Sequence, residues 1–252
     1  MKPKIALQLY TLREALAEDF AGTLQRVAAM GYRAVETAFF PETYSVQAAT
    51  QMIQETGLEI MAAHAELPLG EQQDAVLAQM RTLGCTRLIW HGWPQDPRYS
   101  SIDGIKALIT QYNEANVIAQ AYGLTMGIHN HWWECQLVDG IYPYQLLVNE
   151  MDPSIFFELD TYWAETAGLD ALQVVAELGD RAPLLHIKDG PAMRHEPMVA
   201  VGDGNLDVAA IIGAGAGTVE WLIVELDECA TDMFVAVERS YVYLVENGLA
   251  EA

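Results

Sequence analysis

The constraint that most narrows the fold is an alternation. Short apolar runs of strand length recur eight times, each followed by a stretch with helical apolar spacing. The strand runs are KIALQLY (4–10), YRAVETAF (32–39), LEIMAAHAE (58–66), TRLIWHGW (86–93), LTMGIHNH (124–131), SIFFELDTYW (154–163), APLLHIKDG (182–190) and VEWLIVELDE (219–228). Helical spacing is expected between them, over 12–31, 46–57, 71–84, 102–123, 143–151, 169–179, 206–217 and 232–248. Gly31 and Gly57 stand where helices stop. Eight β-α units in 252 residues is the arithmetic of an α/β chain closed into a single (β/α)8 TIM barrel. No linker, charge run or low-complexity tract interrupts the series, so residues 1–252 read as one domain.

Composition narrows the function. Hydrophobic residues make up 52% of the chain, enough for a large core, and no stretch is apolar for long enough to cross a membrane. The opening residues reach charge too soon for a secretory signal. Cys85, Cys135 and Cys229 are odd in number and far apart, which argues against a disulfide framework and for a reduced, cytoplasmic setting. The formal net charge of −22 repels nucleic acid and anionic membranes. With four lysines and no basic cluster, a neutral substrate is expected over a strongly phosphorylated one. Self-association into a homo-oligomer is compatible with all of this.

In a barrel of this kind the chemistry sits at the carboxyl ends of the strands, on inward positions two residues apart. That spacing selects Gln8 and Tyr10, then Glu36, His64 and Glu66, His91 and Trp93, His129 and His131. It continues with Glu158, Asp160 and Tyr162, His186 and Lys188, and Glu225 and Asp227. Five of the six histidines fall on these positions, which random placement would not produce. Asp160, His186 and Glu225 each follow an apolar run, where burial without a counter-charge is costly. Two carboxylates and an imidazole from adjacent strands suit Mn, Mg, Co or Zn as a divalent ion. A fourth ligand is expected from the fifth strand.

These segments resemble the xylose isomerase-like TIM-barrel superfamily, in its sugar phosphate isomerase/epimerase group. The matching stretches are LQLYTLRE, AAMGYRAVE, GIHNHWWE, ELDTYWAETAGLD, LLHIKDG, GDGNLD and WLIVELDE, in order from residue 5 to about 244. The resemblance implies one divalent metal held by Glu, Asp, His and Glu from strands 5 to 8. Asp160, His186 and Glu225 match the last three positions. The strand-5 position departs from the pattern, with His129-Asn130-His131 where relatives often have Glu-Asn-His. Either His129 replaces the carboxylate or Glu134 reaches back from the loop, and Glu134 is the expectation carried forward.

The implied chemistry is sugar isomerisation or epimerisation through a metal-stabilised enediolate. Glu225 and Glu134 are the expected proton-transferring bases, with Lys188 polarising a substrate oxygen. Glu36, His64, His91, His129, His131 and Trp163 are expected to bind a small carbohydrate. An inosose dehydratase-like reaction, or a lyase or hydratase acting on 3-keto sugars, would use the same residues. A non-catalytic sugar-binding barrel would need no metal.

Overall fold

The computed structural model describes residues 2–92 and 96–251, so Trp93, expected at the end of the fourth strand, lies outside the described residues. Eight parallel strands close into one barrel in sequence order. They are β1 (Lys4–Gln8), β2 (Ala34–Thr37), β3 (Glu59–Ala65), β4 (Arg87–Trp90), β5 (Thr125–His129), β6 (Phe156–Asp160), β7 (Leu184–Ile187) and β8 (Trp221–Val224). Closure comes from β8 pairing with β1, where Lys4 meets Trp221 and Leu7 meets Val224. The outer helices are α1 (Arg13–Glu18), α2 (Phe20–Ala29), α3 (Val46–Glu55), α4 (Gln73–Leu83), α5 (Ile102–Ala121), α6 (Pro143–Glu150), α7 (Thr161–Thr166), α8 (Ala171–Leu178), α9 (Val208–Ala214) and α10 (Met233–Glu246). No helix among the described residues is long and apolar enough to cross a membrane.

The strands stop earlier than the sequence pattern suggests. Tyr10 falls in a 3-10 turn after β1, and His91, His131, Lys188, Glu225 and Asp227 lie beyond their ladders. Inward alternation outlasts the hydrogen bonding, because a strand end can stay extended without a partner. The sixth strand is cut short by its own chemistry. Asp160 accepts the Trp163 amide at 2.8 Å and so caps α7, turning Tyr162 and Trp163 into a helix. The first helix is likewise split at Asp19, which adopts extended dihedrals and caps α2 through the Gly22 amide.

The barrel interior is layered. Ala6, Ala34, Met61, Ala62, Ile89, Leu184, Trp221 and Ile223 form an apolar plug, with Phe156 packed against it. A Cβ on Gly127 would stand 2.3 Å from the Phe156 ring, so glycine at this point of β5 makes room for the plug. One step further along each strand the inward residues become polar. Phe156 is followed by Glu158 and Asp160, Leu184 by His186 and Lys188, and Ile223 by Glu225 and Asp227. The plug therefore floors a polar site and keeps it dry from below.

Candidate active site

Two tiers of polar side chains sit above the plug. The outer tier is built on Lys188, 1% exposed, whose ammonium lies 2.9 Å from Asp160 Oδ2, 2.7 Å from Glu225 Oε2 and 2.7 Å from Asp227 Oδ2. His186 Nδ1 is 2.7 Å from the same Glu225 oxygen, and His129 Nε2 is 3.9 Å from Asp160 Oδ2. Asn130 points away from the barrel axis and ties the ends of two strands together. Its Oδ1 accepts the Asp160 amide at 2.8 Å while its Nδ2 donates to the Asp160 carbonyl at 3.3 Å.

The inner tier lies deeper and reaches the cavity only through His64 and His129. Glu36 and Glu158 are 0% exposed. Glu36 Oε2 accepts from Gln8 Nε2 at 2.7 Å and faces His186 Nε2 at 2.8 Å. Glu158 Oε2 faces His64 Nε2 at 2.7 Å, His186 Nε2 at 3.1 Å and His129 Nδ1 at 3.5 Å. His129 and His186 thus stand between the tiers, each turning one ring nitrogen inward and the other outward.

Burial and charge act against each other here. Burial pushes Asp160 up to about 6, more than the Lys188 charge pulls it down. At Glu225 burial acts upward too, but Lys188 and His186 outweigh it and hold the carboxyl well below its usual range. Burial also raises Glu36, reinforced by the Glu158 charge. His64 goes the other way from what burial dictates, because Glu36 and Glu158 carry it up to about 10. Burial lowers His129 and His131 well below the usual imidazole range and His91 to about 4.

Above the outer tier opens a cavity of about 320 Å³. His64, His91, His129, His131, Lys188, Glu225 and Asp227 supply its polar wall, and Tyr10, Phe39, Trp132, Trp133 and Trp163 its aromatic one. The His131 ring stacks on Trp133 with centroids 4.2 Å apart. The long loop after β7 reaches this rim, where the Arg194 guanidinium lies 3.5 Å over the Trp132 ring. Its base is anchored by Asp189, whose buried carboxylate accepts the amides of Gly190, Gly202, Gly204 and Leu206 at 2.8–3.2 Å. Nothing in the strand alternation singles out Asp189, since it faces away from the barrel axis. The cluster of glycines in GDGN was the available signal.

The expected residues divide in a definite way. His129, Asp160, His186 and Glu225 each present a ligand atom within 4.8 Å of one another. This mixed set of imidazole nitrogen and carboxylate oxygen fits a divalent ion of the Mn, Mg, Co or Zn kind. Glu134 is not brought to that cluster. Its Oε2 accepts the His131 amide at 2.9 Å within the 3-10 turn Trp133–Cys135, and it is absent from the cavity wall. The expectation that Glu134 reaches back as ligand and second base is therefore corrected, and the strand-5 contribution to the cluster is His129. Glu36, expected to touch substrate, lies beneath the cavity instead, and Glu66 stays half-exposed at the rim, 3.8 Å from His91. Gln8, recognised only as inward-facing, belongs to the inner tier, and so does Glu158, for which burial lower in the barrel beside a partner is the alternative reading of an inward carboxylate.

Glu134 carries a testable consequence. Burial pushes its carboxyl up to about 8, against an ordinary value near 4.5. Between those pH values the folded chain keeps a proton that the unfolded chain releases, so stability falls as pH rises through the window. Glu134→Gln keeps an oxygen for the His131 amide but cannot ionise. Thermal unfolding at about pH 5, 6.5 and 8 in chelator should show the variant gaining on the wild type as pH rises. Parallel pH slopes for the two proteins would refute the assignment.

The chain belongs to the xylose isomerase-like TIM barrel family, whose model matches residues 24–228. Its similarity to solved structures spans the whole barrel. A sugar phosphate isomerase/epimerase from Parabacteroides distasonis superposes with a TM-score of 0.84 at 24% identity, covering 100% of this chain and 96% of that one. An L-ribulose 3-epimerase gives 0.72 at 16% identity, over 98% of this chain and 94% of the other. An IOLI protein with a bound zinc atom gives 0.71 at 14% identity, over 98% and 99%. At these identities the likeness is one of fold. No curated protein matches the chain in sequence.

Proposed function

We propose that this barrel is a divalent-metal-dependent isomerase or epimerase of a neutral sugar or keto-sugar. The observation that carries the reading is the convergence of His129, Asp160, His186 and Glu225 within 4.8 Å beneath an aromatic-walled cavity. When bound there, a divalent ion would polarise a substrate carbonyl and adjacent hydroxyl and lower the cost of the enediolate. The chain's own residues supply the rest. Glu225, kept ionised by Lys188 and His186, is the carboxylate placed at the cavity floor to take the proton from carbon. Lys188 offers its ammonium to the developing oxygen charge, while His91 and His131 face substrate hydroxyls. Trp132, Trp133 and Trp163 present flat apolar faces to a sugar ring and exclude water.

Substrate charge follows from the same wall. Its one lysine is shared among three carboxylates, and a phosphate would meet Asp227 and Glu225 before any unengaged lysine. Ketoses, 3-keto sugars and inososes should therefore exchange a carbon-bound proton in D₂O with Mn²⁺, and faster than their phosphates. Exchange at one carbon locates the chemistry, and loss of water from an inosose would identify the dehydratase variant of it. A clear kcat/KM preference for a phosphorylated sugar would overturn the charge argument. Absence of exchange across the panel, with the metal bound, would leave a sugar-binding barrel.

A further inference from the structure

The cavity is built on two crossed axes. The strands close in sequence order, so the ends of β1 and β2 stand opposite those of β5 and β6. Tyr10 and Phe39 line the cavity from the first pair, and Trp132 and Trp163 from the second. Polar groups take the other diagonal, with His64 and His91 at the ends of β3 and β4 and Lys188 and Glu225 after β7 and β8. The reacting part of a sugar belongs to the polar diagonal. The aromatic banks are left to grip what the sugar carries.

Depth separates the two tasks. Trp133, stacked on His131, is only 7% exposed. Phe39 lines the same cavity yet is 66% exposed at its lip, held edge-on to the His91 ring at 5.6 Å and 74°. A phenyl side chain this open to water forgoes the burial that normally rewards it. Met193 is 58% exposed beside Arg194, which covers Trp132, and Leu137 and Ile141 are exposed in the loop after β5. The other large apolar side chains exposed among the described residues are scattered on or just after α5, α8 and α10, as on any protein surface. The apolar lip is therefore continuous with the site rather than part of that scatter.

Size and charge narrow what fits. About 320 Å³ is at the small end of ligand pockets, so one sugar ring fills it and a substituent on that ring leaves between the banks. Glu225 and Asp227 in the wall favour an uncharged substituent. Banks on opposite sides of a mouth receive a thin, flat group, whereas a protein surface would meet only the lip. We propose that the substrate is a keto-sugar glycoside with an aromatic aglycone, which lies between Phe39 and Trp132. This substrate class rests on the function proposed above and narrows it. A glycoside has no free aldehyde, so the carbonyl that activates the carbon-bound proton is a ketone on the ring. The proton passes from the carbon beside that ketone to Glu225, and a solvent proton takes its place.

Phenyl and methyl glycosides of 3-keto-glucose, offered to the Mn²⁺-loaded full chain in D₂O, separate the possibilities. The phenyl glycoside should exchange with a kcat/KM on the order of tenfold higher, carried mainly by KM, the scale of one ring stacked on aromatic neighbours. Phe39→Ala should bring that ratio close to one whatever its effect on the rate itself, while Phe39→Trp should keep it. Val117→Ala, at a similarly exposed apolar site on α5, should leave the ratio as in wild type. Calorimetric titration with both glycosides repeats the comparison without turnover. Tighter binding of the phenyl compound with no proton exchange would overturn the proposed function and uphold the aglycone site. Exchange with equal kcat/KM and equal affinity for the two glycosides would overturn the aglycone site and leave the proposed function standing. A ratio that survives Phe39→Ala, with self-association lost instead, would assign the lip to a second copy of the chain and overturn the aglycone site as well.

Discussion

Glu225→Gln should bind metal with part of its affinity yet turn over substrate on the order of 10²-fold or more slowly. Glu225 ends an apolar strand, is 5% exposed and lies in the cavity wall. Its Oε2 is held at 2.7 Å by both His186 Nδ1 and Lys188 Nζ. An amide keeps the shape and one acceptor oxygen, which an ion and a lysine tolerate. It cannot accept a proton from carbon, and no other carboxylate stands where it stands. Asp227 is nearby but engages the Lys188 ammonium from the outer side. Deuterium exchange should fall by the same factor as turnover, since the step lost is proton abstraction. A variant that keeps its ion and exchanges at the wild-type rate would reduce Glu225 to a ligand and shift the base to Asp227 or a histidine.

Much of this site can be read from the chain, and the parts that cannot share a cause. Asp160, His186 and Glu225 stand out because each interrupts an apolar run at a strand end, and period-two alternation then gives their direction. The eight-fold pattern is equally plain, because periods of 2 and 3.6 alternate with glycines at the joints. Strand parity places His129 inward as well. The expectation for Glu134 rests on charge balance at a dication and on a second carboxylate for acid–base work, and what stands against it is local: a 3-10 turn brings the His131 amide within 2.9 Å of the carboxylate. Backbone capture of that sort depends on dihedrals that the residue types do not announce. The inner tier is hidden for a different reason. Glu36 on β2 and His64 on β3 meet Glu158 on β6 across the barrel, at a depth set by strand stagger rather than by sequence spacing. The register slip between Val35 and Glu36 is part of that stagger.

Lys188→Met should cost about 3–5 kcal/mol of stability in the chelated protein near neutral pH, the usual scale for removing one partner from a buried ionic group. For a chain of this size that is roughly 6–20 °C in Tm. Methionine fills much of the lysine's volume, so packing loss is a minor part. What remains is Asp160, 0% exposed, and Glu225, 5% exposed, without the cation that both contact. Asp227 is partly exposed and can turn to water. The sign of the pH dependence follows. Losing Lys188 raises the folded-state pKa of Asp160, already about 6, and of Glu225. Carboxyls raised in the fold destabilise it as pH climbs through the interval between unfolded and folded values, and the deficit shrinks on acidification. The variant should therefore lie closest to wild type near pH 5 and furthest above about pH 7. A divalent ion held by Asp160 and Glu225 would replace the missing charge, so Mn²⁺ should restore more Tm to the variant than to the wild type. Equal melting temperatures in chelator at neutral pH would mean that the three carboxylates are neutralised by something other than Lys188.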